Sequence, residues 1–200
     1  GFTISNGYTD QNYEQVKIKN LYFYNGDGAG IYNSTSSPTL SNLIITDNQT
    51  ENDNHIGGGI YNNASSPIIT DVKITNNKSF FGGGIGNEFA SNPTLVNVFI
   101  SGNTSSNSGG GMYNKASSPK LINVNISGNS SYLGCGIYNY NNSNQTFTNI
   151  TVSNNTANYG GNGVYNQNNS NPTITNSIIW GNTGGFFASN LYDDGSTSIV

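Results

Sequence analysis

The sequence is poor in charge. Only 16 of its 200 residues are charged, six lysines and ten acidic residues, and arginine is absent. Charged residues make up 8% of the chain, against about 25% in ordinary soluble domains. With a net charge of −4, the chain has no basic stripe of the kind that nucleic-acid binding needs. A polybasic segment that would hold it on an anionic membrane surface is also excluded.

Cysteine and long apolar runs are equally scarce. Cys135 has no second cysteine for a disulfide or a metal site. No apolar run approaches 18 residues, so membrane insertion is not expected. Leucine occurs 7 times against 20 isoleucines and 8 valines, a β-branched bias that favours strands. Asparagine (38) and glycine (26) make up nearly a third of the chain.

A repeat organises these residues. Variants of the segment GIYN begin at Gly30, Gly59, Gly84, Gly111, Gly136 and Gly163. Eight or nine residues later comes a proline (glutamine in one copy), and ten residues after that always an asparagine. Length therefore varies mainly between that asparagine and the next glycine, which is typical of a solenoid with a variable loop.

Apolar residues alternate with polar ones inside each repeat. The alternation predicts two short strands joined by a tight turn, with the GIYN segment as a third strand. Three short strands per rung of roughly 25 residues, repeated over about seven rungs, predict an all-β parallel β-helix. Successive rungs would lie about 4.8 Å apart, so that equivalent residues stack.

Two asparagine columns are predicted to form structural ladders, because stacked amides can bond to their equivalents above and below. The column at the tight turn is Asn42, Asp71, Asn97, Asn123, Asn149 and Asn176. The column ten residues after the proline is Asn48, Asn77, Asn103, Asn129, Asn155 and Asn182. The scarcity of charge fits such stacking, since like charges on successive rungs would face each other.

The repeat GGGIYN…SSPxLxNVxIxGN resembles the right-handed parallel β-helix repeats of secreted bacterial surface proteins, and is distantly similar to chlamydial polymorphic membrane proteins. The resemblance covers nearly the whole chain and implies this fold. Such domains occur in adhesins, in autotransporter passengers and in polysaccharide-processing enzymes, so the resemblance does not select one function. It implies an extracellular or cell-surface location.

Residues 1–200 are predicted to form a single β-helix domain with uncapped ends. Two interpretations of those ends stay open. The chain is a segment of a longer protein, or it is a subunit that associates end to end through its unpaired strand edges.

The longest loop, between Asn48 and Gly59, is the best candidate for chemistry. Asp27, Glu51 and Asp53 form a weak Ca²⁺ candidate there, because hard carboxylate oxygens suit that ion. The only histidine, His55, is expected near Asp27 on the adjacent rung. A carboxylate pair would suit glycoside hydrolysis, whereas the pectate lyases of this fold use an arginine that is missing here. No catalytic residue is assigned and no cofactor is required.

An aromatic stripe is the more regular feature. Alternation places the residue after the inward isoleucine of the GIYN strand on the outside, and the stripe is broken at Gly86. Its tyrosines would stack on sugar rings, or else on each other. They are Tyr32, Tyr61, Tyr113, Tyr138 and Tyr165.

The function favoured by the sequence is that of a non-catalytic structural or adhesive segment, with glycans or the surface of a host or neighbouring cell as partners. A segment of a carbohydrate-active enzyme is the alternative. An ice-binding protein is the third hypothesis, from interrupted Thr-x-Thr pairs such as Thr146 with Thr148 and Thr173 with Thr175.

Overall fold

The chain forms a parallel β-helix of about six turns, with about 27 residues per turn. This computed structural model describes residues 2–9, 17–18, 21–22, 27–50, 54–186 and 189–200. The predicted fold class is confirmed. Four parallel sheets run along the helix and are numbered here in the order in which a turn visits them.

Sheet 1 contains the GIYN strands and sheet 2 the strands that follow the proline. The strands of sheet 1 are β5 (Ile31–Ser34), β9 (Ile60–Asn63), β13 (Ile85–Glu88), β17 (Met112–Lys115), β21 (Ile137–Tyr140), β25 (Val164–Gln167) and β28 (Leu191–Asp194). Those of sheet 2 are β6 (Thr39–Ser41), β10 (Ile68–Thr70), β14 (Thr94–Val96), β18 (Lys120–Ile122), β22 (Thr146–Thr148) and β26 (Thr173–Thr175).

Sheets 3 and 4 complete each turn. Sheet 3 consists of β1 (Phe2–Ser5), β7 (Leu43–Thr46), β11 (Lys73–Thr75), β15 (Phe99–Ser101), β19 (Asn125–Ser127), β23 (Thr151–Ser153) and β27 (Ile178–Trp180). Sheet 4 consists of β2 (Tyr8–Thr9), β8 (Gln49–Thr50), β12 (Lys78–Phe81), β16 (Thr104–Ser108), β20 (Ser130–Leu133) and β24 (Thr156–Gly160). Outside these sheets, β3 (Lys17–Ile18) pairs antiparallel with β4 (Leu21–Tyr22).

Sheets 1 to 3 are the three predicted strands of each rung, and sheet 4 is an addition. The inward positions of its strands hold only small side chains such as Ser79, Ser105 and Ala157. The sequence shows no alternation of apolar residues over the strands of sheet 4, so these strands were not predicted. The pairing in sheet 4 shifts register three times, as expected where the repeats differ in length.

The core is a stack of apolar side chains inside the four sheets. The apolar residues that alternate along the strands of sheets 1 to 3 face the interior, and the column of Ile45, Ile74, Ile100, Ile126 and Val152 has no exposed surface at all. Leu43 and Ile179 are partly buried against this core. Equivalent residues pair one to one across sheets 1, 2 and 3, for example Ile85 with Met112 and Leu95 with Leu121. Each core residue therefore packs on its own equivalents above and below.

Two buried asparagine ladders run along the helix, one at the corner between sheets 3 and 4 and one within the strands of sheet 1. In the predicted column from Asn48 to Asn182, each side-chain Nδ2 donates to the Oδ1 of the next rung at 2.8–3.0 Å. A second buried ladder follows the tyrosines of sheet 1, from Asn33 through Asn166 to Asp193, with distances of 2.7–2.9 Å. These amides lie almost wholly inside the molecule.

The tight-turn column is different in kind. All six of its members have positive φ, between 48° and 56°. Its side chains are exposed, and its rung-to-rung amide bonds are longer, at 3.1–3.3 Å. Asparagine and aspartate are present here because they tolerate left-handed backbone angles, so this column is mainly a turn column and only secondarily a ladder.

A serine ladder between sheets 1 and 2 was not predicted. The backbone N–H of each serine donates to the hydroxyl of its equivalent one rung on, as from Ser91 to Ser117 at 3.1 Å and from Ser117 to Ser143 at 3.2 Å. The hydroxyls in turn donate to backbone carbonyls, as Ser91 does to Glu88. Serine is thus conformationally and chemically suited to a buried corner where the backbone turns.

Candidate functional site

The tyrosine stripe lies on the outer face of sheet 1, but it is not exposed. Relative exposure is 2–8% for Tyr32, Tyr61, Tyr113, Tyr138 and Tyr165. The expectation of an exposed sugar-stacking stripe is therefore wrong for these rings, since a covered ring offers no face to a ligand. They form a second apolar cluster that is separate from the core.

The segments that return from sheet 4 to sheet 1 cover this face. Ile56 fills the gap in the tyrosine column, because a Cβ placed on Gly86 would lie 2.1 Å from Ile56 Cγ2. Phe81 packs against Tyr113 with ring centroids 4.9 Å apart. Tyr113 and Tyr138 stack at 5.8 Å with nearly parallel planes. The break at Gly86 is thus the place where a covering side chain inserts.

Polar partners one rung away allow the phenol groups to be buried. Tyr61 Oη donates to Glu88 Oε2 at 3.0 Å, and Tyr165 Oη donates to Asp194 Oδ2 at 3.2 Å. Tyr138 donates to Gln167. Buried hydroxyls need such partners, and the last residue of the next strand of sheet 1 supplies them.

Alkaline pH should weaken the protein through these tyrosines. Burial, together with Tyr140 and Asp194, raises the pKa of Tyr138 to about 12, and burial also raises the pKa of Tyr61, Tyr113 and Tyr165. The folded state then holds protons that the unfolded state releases above pH 10, so this contribution is complete below pH 10 and is lost as pH rises towards the folded pKa.

We expect Tyr138→Phe to lose less stability than the unmodified chain between pH 9 and pH 11, by about 1 kcal/mol. Urea unfolding at both pH values measures this difference. Equal losses in the two proteins would show that Tyr138 does not titrate abnormally.

The longest loop, between Asn48 and Gly59, places His55 beside Asp27 of the preceding rung, as the sequence predicted. His55 Nδ1 lies 3.5 Å from Asp27 Oδ1, and the backbone N–H of Ile56 donates to the same oxygen at 2.8 Å. Burial raises the pKa of Asp27, against the opposing effects of the Ile56 N–H and of His55. Both side chains are about one third exposed, at 33% and 31%.

The Ca²⁺ candidate is only partly visible. Glu51 and Asp53 lie outside the described residues, and Asp27 is occupied by His55 and Ile56. Within the described part of the chain, no group of three or more His, Cys, Asp or Glu side chains is placed to hold a metal ion. The Ca²⁺ site stays a prediction.

Glu88 is a buried acid that the sequence reading missed. It is 6% exposed, and its Oε1 lies 3.2 Å from Lys115 Nζ on the next rung, while Oε2 accepts the Tyr61 hydroxyl. Both oxygens are therefore partnered. Sequence carried a usable signal: Glu88 and Lys115 each stand four residues after the glycine of adjacent repeats, and opposite charges at stacked positions pair.

A different set of aromatic rings is exposed. Tyr132 in β20 stacks on Tyr159 in β24 with centroids 5.3 Å apart, and Phe186 follows Tyr159 at 6.3 Å. Their exposed fractions are 45%, 38% and 88%. These rings lie along the end of sheet 4, where the polar repeat gave no periodic signal, so this row was not predicted.

The threonine columns of the ice-binding hypothesis are on the outer face of sheet 2, where equivalent residues of successive strands pair in register. Ile68, Val96, Lys120 and Ile122 interrupt them there. Ice binding stays a prediction, and the interrupted array offers fewer regular hydroxyls than a continuous one.

Cys135 is a free cysteine at a buried position. The thiol donates to the carbonyl of Thr156 at 2.8 Å, and burial raises its pKa to about 11. A thiol held protonated at neutral pH is a poor nucleophile.

In the described residues, no helix is long and apolar enough to cross a membrane.

Comparison with known proteins finds one family. A family model described as "Right handed beta helix region" matches residues 80–198. No curated protein and no solved structure matches the chain.

Proposed function

The chain belongs to the right-handed β-helix family, and on that premise we propose that it is a non-catalytic structural and adhesive segment of a secreted or cell-surface protein, with glycans as its partners. The adhesive and location parts of this proposal come from the resemblance to bacterial surface repeats. The structural part comes from the use that the molecule makes of its polar side chains.

The ladders are the observation that carries the proposal. Asparagine is the most frequent residue in the sequence. The buried asparagine amides bond to their equivalents along the helix instead of converging on a ligand. The described acids near the only histidine are likewise engaged: Asp27 by His55 and the Ile56 N–H, and Glu88 by Lys115 and Tyr61. Such an arrangement supports a rigid rod whose outer surface does the binding.

The outer surface supports adhesion to carbohydrate. It combines exposed rings, such as Tyr132 and Phe99, with neutral amides and hydroxyls. Aromatic rings with a few placed polar groups are the usual means of holding sugars. The low net charge of −4 favours neutral partners over nucleic acid or anionic membranes.

We expect the 200-residue chain to bind insoluble polysaccharide without cleaving it. Cellulose, chitin, xylan and mannan are incubated with the protein, and the bound fraction, the reducing ends and the absorbance of unsaturated products at 235 nm are measured. Retention on at least one polysaccharide with no product is the expected result. The heat-unfolded chain is the control for non-specific adsorption.

Release of reducing ends or unsaturated products would overturn the non-catalytic proposal and favour the carbohydrate-active enzyme. Absence of retention on every polysaccharide would overturn the adhesive part and leave only the structural role.

A further inference from the structure

A groove of about 440 Å³ lies at the outer corner between sheets 3 and 4. Three successive rungs line it: Asp47 and Gln49 from the first, Asn76 and Lys78 from the second, and Gly102 and Thr104 from the third. Because adjacent parallel strands lie about 4.8 Å apart, three rungs present about 10 Å of groove, the length of about two sugar rings.

A glycine is among the residues that line this groove. Gly102 has a φ of +66°, and the equivalent Asn76 has a φ of +55°. A Cβ on Gly102 would lie 2.6 Å from Asn76 Oδ1, so any side chain at position 102 displaces the Asn76 amide that lies over this glycine. Asparagine stands in this column at Asn76 and Asn154 with the same backbone angle, which means that the fold itself does not require glycine at position 102.

Three polar side chains of the groove, those of Gln49, Asn76 and Lys78, are not used by the ladders. Asn48 and Asn77, which also line it, direct their amides into the buried ladder. Among the residues that the structure describes, none forms a side-chain hydrogen bond with the side chains of Gln49, Asn76 or Lys78. Two amides and an ammonium group are therefore presented to solvent in one concave place.

Charge in the groove is balanced, with one carboxylate from Asp47 and one ammonium group from Lys78. Uncharged amides and the hydroxyl of Thr104 make up the other polar side chains. Such a mixture of donors and acceptors is complementary to vicinal hydroxyl groups and not to a polyanion.

An exposed aromatic ring lies outside the lining of the groove, on the same rung as Gly102. Phe99 begins β15, three residues before Gly102, and is 52% exposed. It shares the outer face of its strand with Ser101, about 7 Å further along the chain. An exposed apolar ring on the same outer face gives a sugar ring that extends beyond the groove a face to pack on.

We infer that this groove binds a neutral glycan chain, with Phe99 packing on one sugar ring and the amides of Gln49 and Asn76 bonding to hydroxyl groups. The inference rests on the proposed function and names its site and its class of ligand. It assigns the binding to a corner of the β-helix, away from the covered tyrosines of sheet 1.

The test uses four single variants of the 200-residue chain. Gly102→Asn introduces the residue that the same column already holds at Asn76 and displaces the Asn76 amide, and Phe99→Ala removes the ring. Gly128→Asn is the matched control for the first, because it lies in the same turn column with φ +64° and its Cβ would approach nothing nearer than Gly102 N at 4.0 Å. Ile178→Ala is the control for the second, in the same outer column of sheet 3 and 60% exposed.

Affinities for cellohexaose, mannohexaose, xylohexaose and the acidic hexagalacturonate are measured by calorimetric titration, with circular dichroism melting as the folding check. We expect at least one neutral hexasaccharide to bind, with affinity about tenfold weaker for Gly102→Asn and for Phe99→Ala and within about twofold for both controls.

Unchanged affinity in both test variants, while the parent chain binds, would overturn the groove and leave the proposed function standing. Binding of hexagalacturonate alone would overturn the neutral class of ligand. Binding of none of these sugars, together with no retention on polysaccharide, would overturn the groove and the adhesive function together.

Discussion

Replacing Asn103 by alanine is expected to lower the free energy of unfolding by about 4 kcal/mol, because it interrupts the buried ladder at its centre. Asn103 has no exposed surface. Its Oδ1 accepts from the backbone N–H and the Nδ2 of Asn77 at 2.9 and 3.0 Å, and its Nδ2 donates to Ile74 O and to Asn129 Oδ1 at 2.9 and 3.0 Å. Urea unfolding followed by circular dichroism measures the effect.

Most of this cost comes from the groups left behind. The two donors of Asn77 lose their acceptor in a place that water does not reach, and each unsatisfied buried group costs about 1–3 kcal/mol. Asn123→Gly is the matched control, since it removes an exposed amide from the tight-turn column, where φ is +54° and glycine is tolerated. We expect it to cost less than about 1 kcal/mol. Equal losses for the two variants would contradict a special role for the buried ladder.

Replacing Gly111 by alanine should cost about 3 kcal/mol through overlap between rungs. A Cβ at this position would lie 2.5 Å from the carbonyl oxygen of Gly136 and 2.9 Å from Ile126 Cγ2. The Gly136 oxygen also accepts the backbone N–H of Met112, so moving it away weakens sheet 1. All six repeats have glycine at this position for the same reason, because an added Cβ would lie 2.3–2.6 Å from a carbonyl oxygen of the next rung.

Gly195→Ala is the control for Gly111→Ala. Gly195 has a φ of +63° and nothing within 4 Å of its Cβ position, so this variant measures backbone strain without overlap, about 1 kcal/mol. Thermal and urea unfolding of both variants compare the two costs. A Gly111→Ala protein as stable as Gly195→Ala would mean that the rungs are not packed as closely as described.

The sequence was informative wherever a residue type repeats once per turn. The alternating apolar residues, among them the column from Ile45 to Val152, and the ladder from Asn48 to Asn182 were predicted because equivalent positions on successive rungs stack in the same environment and so favour the same residue type. The positions of these columns in the fold follow directly from that repeat.

Features that depend on the variable segments were not predictable in the same way. The burial of Tyr61 and Tyr113 depends on Ile56 and Phe81, which lie in segments of unequal length and sequence. Alternation correctly indicated that these tyrosines leave the core, but periodicity says nothing about what covers the outer face. The groove at Gly102 was not predictable for a related reason, since repeat spacing locates columns of residues but not the concave surface between sheets 3 and 4.

Native-state hydrogen exchange of side-chain amides tests the central claim, that the abundant asparagines are a structural ladder, most directly. The NH₂ groups of Asn77, Asn103 and Asn129 are buried in the ladder, whereas those of Asn97 and Asn123 are exposed in the tight-turn column. Nuclear magnetic resonance with ¹⁵N labelling separates the two sets. The account predicts exchange slower by several orders of magnitude for the buried set, because a ladder amide exchanges only when its rungs open. Equal exchange rates in the two sets would contradict it.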